Sequence, residues 1–288
     1  MGQRANLWLR TGEGDSLFYT HDRANALDAE LFWGPDAAMR FARTLPRAEG
    51  WLDEVWAEGG AVIDAVERVL LWFGGEDVLL DVPLRRVCLG VMRELWPGWE
   101  IRWAHDHVLD LVRYGGGDVS GLLREDEPAG EVVLSVQRPE WADTALSMRC
   151  ADGTWKLHTL AASPELLFAG PALAEALART PLPDTLAWRT ETFPFGGAHV
   201  DEAARRVDAW AARPVADGER RLRDAWPGWD ARWHRDRFEA VAERVGRRLT
   251  LPHASEADHV ALLRGLVGAD GEVGARFDEA LARWRRRR

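Results

Sequence analysis

Apolar and polar positions change period several times along the chain, and each change marks an element. "NLWLR" and "LFYTH" are short apolar stretches on either side of "TGEGDS", the pattern of a β-hairpin. "GPDAAMRFART" reads as a helix, with Pro35 at a suitable first position and Ala37, Ala38 and Phe41 on one face. "AVIDAVERVLLWFGG" predicts two short strands about a turn near Asp64 to Glu67, although its spacing also permits a helix. In "DVPLRRVCLGVMREL", Asp81 is a candidate N-cap, and Leu84, Val87, Cys88, Val91 and Leu95 form one apolar stripe. Pro97 pushes Trp96 out of the α region, so this helix ends there and Pro97-Gly98 turns the chain. "WEIRWA" then follows as a strand and "HDHVLDLVRYGG" as a short helix stopped by glycine. The sum is a ββ-α-ββ-α-β-α module of the α+β class, with a mostly antiparallel or mixed sheet.

The pattern recurs. "WPGWEIRWAHD", Trp96 to Asp106, and "WPGWDARWHRD", Trp226 to Asp236, agree at seven of eleven positions, three of them Trp. Upstream, "LFWGPDAAMRFART" from Leu31 and "LFAGPALAEALART" from Leu167 agree at eight of fourteen. "GGAVID" from Gly59 and "GGAHVD" from Gly196 lie between these anchors in the same order. Ordered matches of this kind predict an internal tandem duplication and a pseudosymmetric monomer. The expected organisation is a first repeat over 1–117, a connector over 118–130 that includes the acidic start of "REDEPAGE", a second repeat over 131–247, and a C-terminal helical tail over 248–288.

Strand alternation decides how to read the Trp motif. Trp99, Ile101 and Trp103 share one face of the predicted strand while Glu100 and Arg102 share the other, and Trp229, Ala231 and Trp233 repeat the scheme against Asp230 and Arg232. Copies that keep an alternation while varying its members describe a packing surface, so the indoles are expected in the core.

Composition narrows the class of protein. The chain has 288 residues, 47% hydrophobic and 29% charged, which fits an ordered globular protein. No run approaches the roughly 18 apolar residues of a spanning helix. The N-terminal "MGQRANLWLR" lacks a secretory apolar core, and a cytoplasmic location is expected. Cys88 and Cys150 are the only cysteines and read as buried small hydrophobes, a single bridge between them being the alternative. A net charge of -10 argues against a surface built for nucleic acid or anionic lipid. Nearly all basic groups are arginine, Lys156 being the sole lysine, a GC-rich coding bias that points to a bacterial source.

Candidate chemistry gathers after the Trp strands. Arg102, His105, Asp106 and His107 in the first copy, with Arg232, His234 and Asp236 in the second, are the candidate partner- or ligand-binding residues. The simple roles are an ion pair for each arginine with the acidic residue two positions before it, and helix N-capping for Asp106 and Asp236. His-x-His can hold a metal when further ligands converge, but neither copy completes a set, so no metal or cofactor is predicted. His21 and His158 end corresponding hairpins approximately and read as ordinary strand-end side chains. No Walker A lysine, HExxH helix, GxSxG elbow or GxGxxG fingerprint occurs. The leading expectation is therefore a non-enzymatic protein-interaction protein, of inhibitor, immunity or regulatory type, meeting another protein through strand-end loops near His105 and His234. The alternative is an enzyme or small-ligand binder using a cleft between the repeats. Nucleic-acid contact by Arg285 to Arg288 is a third reading.

Overall fold

Short strands and helices alternate as the hydrophobic pattern predicts in a computed structural model that describes residues 3–124, 132–135, 143–161, 164–188, 193–252 and 254–288. Residues 125–130 of the expected connector lie outside the described residues. The chain divides into a first unit, 1–124 with 254–288, and a second, 125–253.

The first unit runs β1 (Ala5–Thr11), β2 (Gly14–Thr20), α1 (Leu27–Phe32), α2 (Pro35–Thr44), β3 (Gly59–Asp64), β4 (Val69–Phe73), α3 (Glu76–Leu80), α4 (Val82–Leu95), β5 (Glu100–Trp103) and α5 (Val108–Tyr114). Its sheet has the order β2-β1-β3-β4-β5. β1 pairs antiparallel with β2 and parallel with β3, β3 pairs antiparallel with β4, and β4 pairs parallel with β5. β3 and β4 are buried at every residue. A strand covered on both faces carries a continuous apolar run, which is why the sequence of this hairpin shows no alternation and tolerates a helical reading. The turn settles the choice locally, because the Asp64 carboxylate accepts the backbone N–H groups of Val66 and Glu67 at 2.9 and 3.0 Å. α4 starts as expected, with Asp81 accepting the Leu84 N–H at 2.8 Å.

The second unit contains β6 (Thr144–Arg149), β7 (Trp155–Leu160), α6 (Pro171–Arg179), β8 (Leu186–Ala187), β9 (Gly196–Asp201), β10 (Arg206–Ala211), α7 (Gly218–Ala225), β11 (Asp230–Trp233), α8 (Phe238–Val245) and β12 (Leu249–Thr250). Its five-stranded sheet has the order β7-β6-β9-β10-β11, with the same succession of antiparallel and parallel pairings as the first. Leu146, Met148, Ala198, Val200, Val207 and Ala209 occupy one face and pack with Leu173, Leu177, Leu222 and Trp226.

The two sequence anchors meet in each unit. Trp96 donates its indole N–H to the Leu31 carbonyl at 3.0 Å, and Trp226 donates to Leu167 at 3.0 Å. Both rings are fully buried. Trp96 and Trp99 stand edge to face at 4.9 Å, Trp226 and Trp229 at 5.0 Å. Gly34, with φ 101°, leaves room for the Leu95 carbonyl, 2.8 Å from where a Cβ would stand, and Gly170, with φ 67°, does the same for Ala225. The WPGW and LFxGP motifs are thus two sides of one contact. In the first unit Trp103 is also buried, whereas Trp99 and, in the second, Trp229 and Trp233 are half-buried.

The chain returns to the first unit with α9 (Glu256–Leu266) and α10 (Gly271–Arg287), which pack on α4. Ser255 and Asp258 form a capping box at the start of α9. Phe277 stacks on Phe32 at 5.9 Å, and the Trp284 indole lies over Gly90, where a side chain would collide with it. The terminal arginines are engaged: Arg283 and Arg287 pair with Glu94, and Arg285 and Arg288 with Glu256. Cys88 and Cys150 are buried free thiols. No helix among the described residues is long and apolar enough to cross a membrane.

Candidate functional site

The seven candidate residues do not share one environment. Arg102 holds Glu100 through two hydrogen bonds, and Arg232 holds Asp230 at 2.8 Å. These are the expected pairs on the exposed strand face, and such pairs contribute little stability. Simple capping by Asp106 and Asp236 would put each at the residue directly before its helix. α5 and α8 begin two residues later, with His107 and Arg237 at the N-cap positions and no side-chain cap bond at either. A tight turn intervenes, in which the Asp106 and Asp236 carbonyls accept the Leu109 and Phe238 N–H groups at 3.2 and 2.9 Å. The Asp106 carboxylate pairs with Arg113. His107 is buried with its ring 4.4 Å from Phe73, and His105 is half-buried. His21 meets the Tyr19 hydroxyl at 3.0 Å, and His158 is buried in β7.

Arg232 and His234 do converge with other groups. They line a cavity of about 400 Å³ in the second unit together with Arg206, Asp208, Ala240, Glu243 and Arg244. The sheet register explains the assembly. Ser147, His199, Asp208 and Arg232 are successive cross-strand partners on β6, β9, β10 and β11, so their side chains leave the same face of the sheet. This face is opposite the apolar core face, and α8 lies against it at β9 and β10. Arg206 stands two residues before Asp208 on the same side, and Glu243 and Arg244 come from α8.

Asp208 is the centre of this constellation, with a side chain only 1% exposed. Arg206 donates Nε and a terminal nitrogen to its two oxygens at 2.7 Å each, and His234 Nε2 lies 2.7 Å from Oδ1. Arg244 Nε stands 3.6 Å from Oδ2. Burial pushes the Asp208 carboxyl up, but hydrogen bonds from His234 and Arg206 and the positive charges of Arg206 and Arg244 outweigh it and hold the group well below the ordinary carboxylate range. Asp208 is therefore an acceptor only, so His234 Nε2 carries the proton of that hydrogen bond and Nδ1 is left for other contacts.

Ser147 and His199 form a second polar pair, with Oγ 3.0 Å from Nδ1. It does not constitute a catalytic dyad. Both residues are buried, Ser147 also donates to the Ala198 carbonyl at 3.2 Å, and Trp155 stacks on the imidazole at 5.3 Å. Asp208, the neighbouring carboxylate, is bound to His234 and Arg206. Burial pushes His199 down to about 4, against the pull of Asp201 and Asp208.

Of this row the first unit keeps only the arginine. Its register places Trp8, Val62, Leu71 and Arg102 where the second has Ser147, His199, Asp208 and Arg232, and Val69 and Ala104 where the second has Arg206 and His234. Val62, Val69 and Leu71 are buried. A larger cavity of about 610 Å³ in the first unit is lined by the β1–β2 turn and by Arg43 and Arg47. Its charged groups Glu13, Asp15, Arg43 and Arg47 are all exposed, and no buried polar side chain lines it. The smaller cavity is the better candidate because its charges are built into the protein.

Asp208, Arg206, Glu243 and Arg244 were not among the sequence candidates. The signal lay in the comparison of halves: "GGAVID" against "GGAHVD" places His199 at Val62, and "RVDAWAA" sets Arg206 and Asp208 among apolar residues. Among the described residues no group of three or more His, Cys, Asp or Glu is placed to hold a metal ion. No protein-family model, curated protein or solved structure matches the chain.

Proposed function

We propose that the protein is a non-enzymatic binding protein, built by tandem duplication of one α+β module, whose second copy recognises another protein through the cavity around Asp208 and His234. One observation carries the reading. A buried carboxylate holding an arginine and a histidine stands where the other half of the chain has valine, leucine and alanine, so the fold itself does not require these charges. Burying a charge is costly, and polar groups retained in such a place are best accounted for by recognition. His234 sits at the strand end, with exposed Arg232, Glu243 and Arg244 around the opening, where a partner's surface has access. The duplication reading is supported by the repeated motifs, the common strand order and the equivalent Trp96–Leu31 and Trp226–Leu167 hydrogen bonds. A bacterial, cytoplasmic setting is in keeping with the arginine-rich composition and the two free thiols.

Affinity purification of the intact chain from its source tests the proposal. A stoichiometric partner should be retained by the wild type and by Arg102→Gln, and lost with Arg244→Ala or His234→Ala. Repeated absence of a partner, or retention by all variants, would refute it.

A further inference from the structure

We infer that the Asp208 cavity binds an oxyanion, supplied by the partner as a carboxylate or phosphate group; this rests on the recognition reading above and names the chemistry of the contact. Within the cavity and its rim, three guanidiniums, those of Arg206, Arg232 and Arg244, face the carboxylates of Asp208 and Asp230. One positive charge remains; Asp201, across the sheet from Arg206, is paired with Arg149 at 3.6 Å, and exposed Glu243 takes no hydrogen bond or ion pair among the described residues. The unspent donors are specific. Arg232 commits Nε and a terminal nitrogen to Asp230, and Arg206 commits Nε and a terminal nitrogen to Asp208. The other terminal nitrogen of Arg206 is 4.0 Å from Asp230, too long for a hydrogen bond. Arg244 lies 3.6 Å from Asp208 with 44% of its side chain exposed, attracted but not hydrogen-bonded. His234 Nδ1 makes no hydrogen bond among the described residues; with the ring proton on Nε2 it is an acceptor, and His234 reports on the cavity without donating to the anion.

The remaining nitrogens of Arg206, Arg232 and Arg244 offer N–H donors, with the deprotonated Asp208 already engaged behind them, and such donors suit a carboxylate or phosphate oxygen. Asp208 has a positioning role: it holds Arg206 with its remaining terminal nitrogen at the cavity, so that little side-chain freedom is lost when an anion arrives. Glu243 has the opposite effect, and its charge weakens the binding of any oxyanion. A cation would meet Arg206, Arg232 and Arg244, and an apolar group would desolvate Arg244 without replacing its hydrogen bonds with water.

The test is NMR titration of the full chain, following the arginine Nε–Hε and histidine side-chain resonances. The probes are N-acetyl-dialanine with a free C-terminus, its C-terminal amide, the same amide carrying one Glu side chain, and inorganic phosphate. At least one anionic probe should shift Arg244 and His234 saturably, and the neutral amide should not. The arm that binds identifies the source as chain terminus, acidic side chain or phosphate. Glu243→Gln should tighten binding about fivefold and Arg244→Gln loosen it about tenfold, the scale of one charge interaction. Arg102→Gln should change neither. Binding of the amide equal to that of the anions, no saturable shift with any probe, or an unchanged affinity in Glu243→Gln would overturn the inference. If a purified partner is still lost with Arg244→Ala while no anion binds, the oxyanion assignment fails and the recognition reading stands. If a partner is retained by every variant, the recognition reading itself fails.

Discussion

His199 makes the second unit acid-sensitive, and the size of the effect follows from its surroundings. Its ring is packed between Ser147 and Trp155, near Asp201, Asp208, Arg206 and Arg244, and burial pushes its pKa down from 6.5 to about 4. In the unfolded chain the imidazole takes a proton below pH 6.5, while the native state refuses it until about pH 4. The unfolded state binds more protons throughout that window, so stability present above pH 6.5 is lost as the pH falls toward 4. A shift of this size corresponds to about 3 kcal/mol in total. The perturbation is His199→Gln, which keeps a polar group beside Ser147 but does not titrate. The assay is hydrogen exchange of β6 and β9 amides, corrected for the intrinsic pH dependence of exchange, because it reports opening of the second unit alone. Wild type should lose about 3 kcal/mol of protection free energy across the window and the variant most of that dependence. The Asp208 contribution is lost only below the ordinary carboxylate value of 3.8 and does not overlap. An identical pH slope in wild type and variant would refute the reasoning.

Asp28 in the first unit works in the opposite sense. Burial pushes its carboxyl up to about 6, so the native state holds a proton that the unfolded chain releases above 3.8, and stability falls as the pH rises between these values. Asp28→Asn should stabilise the first unit by up to about 3 kcal/mol at pH 8 and have little effect at pH 4, measured by hydrogen exchange of β3 and β4. Gly90→Ala should cost about 1–3 kcal/mol by forcing the Trp284 indole off α4, and the cost should shrink in a Trp284→Ala background, measured by thermal unfolding. Trp96→Phe and Trp226→Phe should each destabilise their own unit by about 1–3 kcal/mol, since each leaves a buried carbonyl, Leu31 or Leu167, without its indole donor, as urea unfolding would register.

The elements were legible where local chemistry fixes them. Asp81 before a helical stripe, Pro35 at a helix start and Pro97-Gly98 after Trp96 act within a few residues, and α4, α2 and the turn before β5 follow from them. The short helices α1 and α3 carry too few turns for a periodic signal and were absent from the sequence reading. The cavity was only half legible. Arg232 and His234 stand out because they belong to the repeated Trp motif, but Asp208 joins them only through the parallel register of β10 and β11. Register between strands is a tertiary property and does not appear in periodicity. Asp106 and Asp236 read as caps because they precede helices, and the turn that puts His107 and Arg237 directly before α5 and α8 is not visible in the spacing.

The thermal and urea stability of the second unit after Arg206→Val, Asp208→Leu and His234→Ala are combined tests the claim that these charges serve recognition and not folding. The three substitutions install the residues that Val69, Leu71 and Ala104 provide in the other half of the chain. Replacement of a buried ion cluster by apolar groups of suitable size is commonly neutral or stabilising by about 1–4 kcal/mol. The account predicts unchanged or raised stability of the second unit in the triple variant, together with loss of anion binding. A loss of several kcal/mol would show that the cluster holds the fold together, and would contradict it.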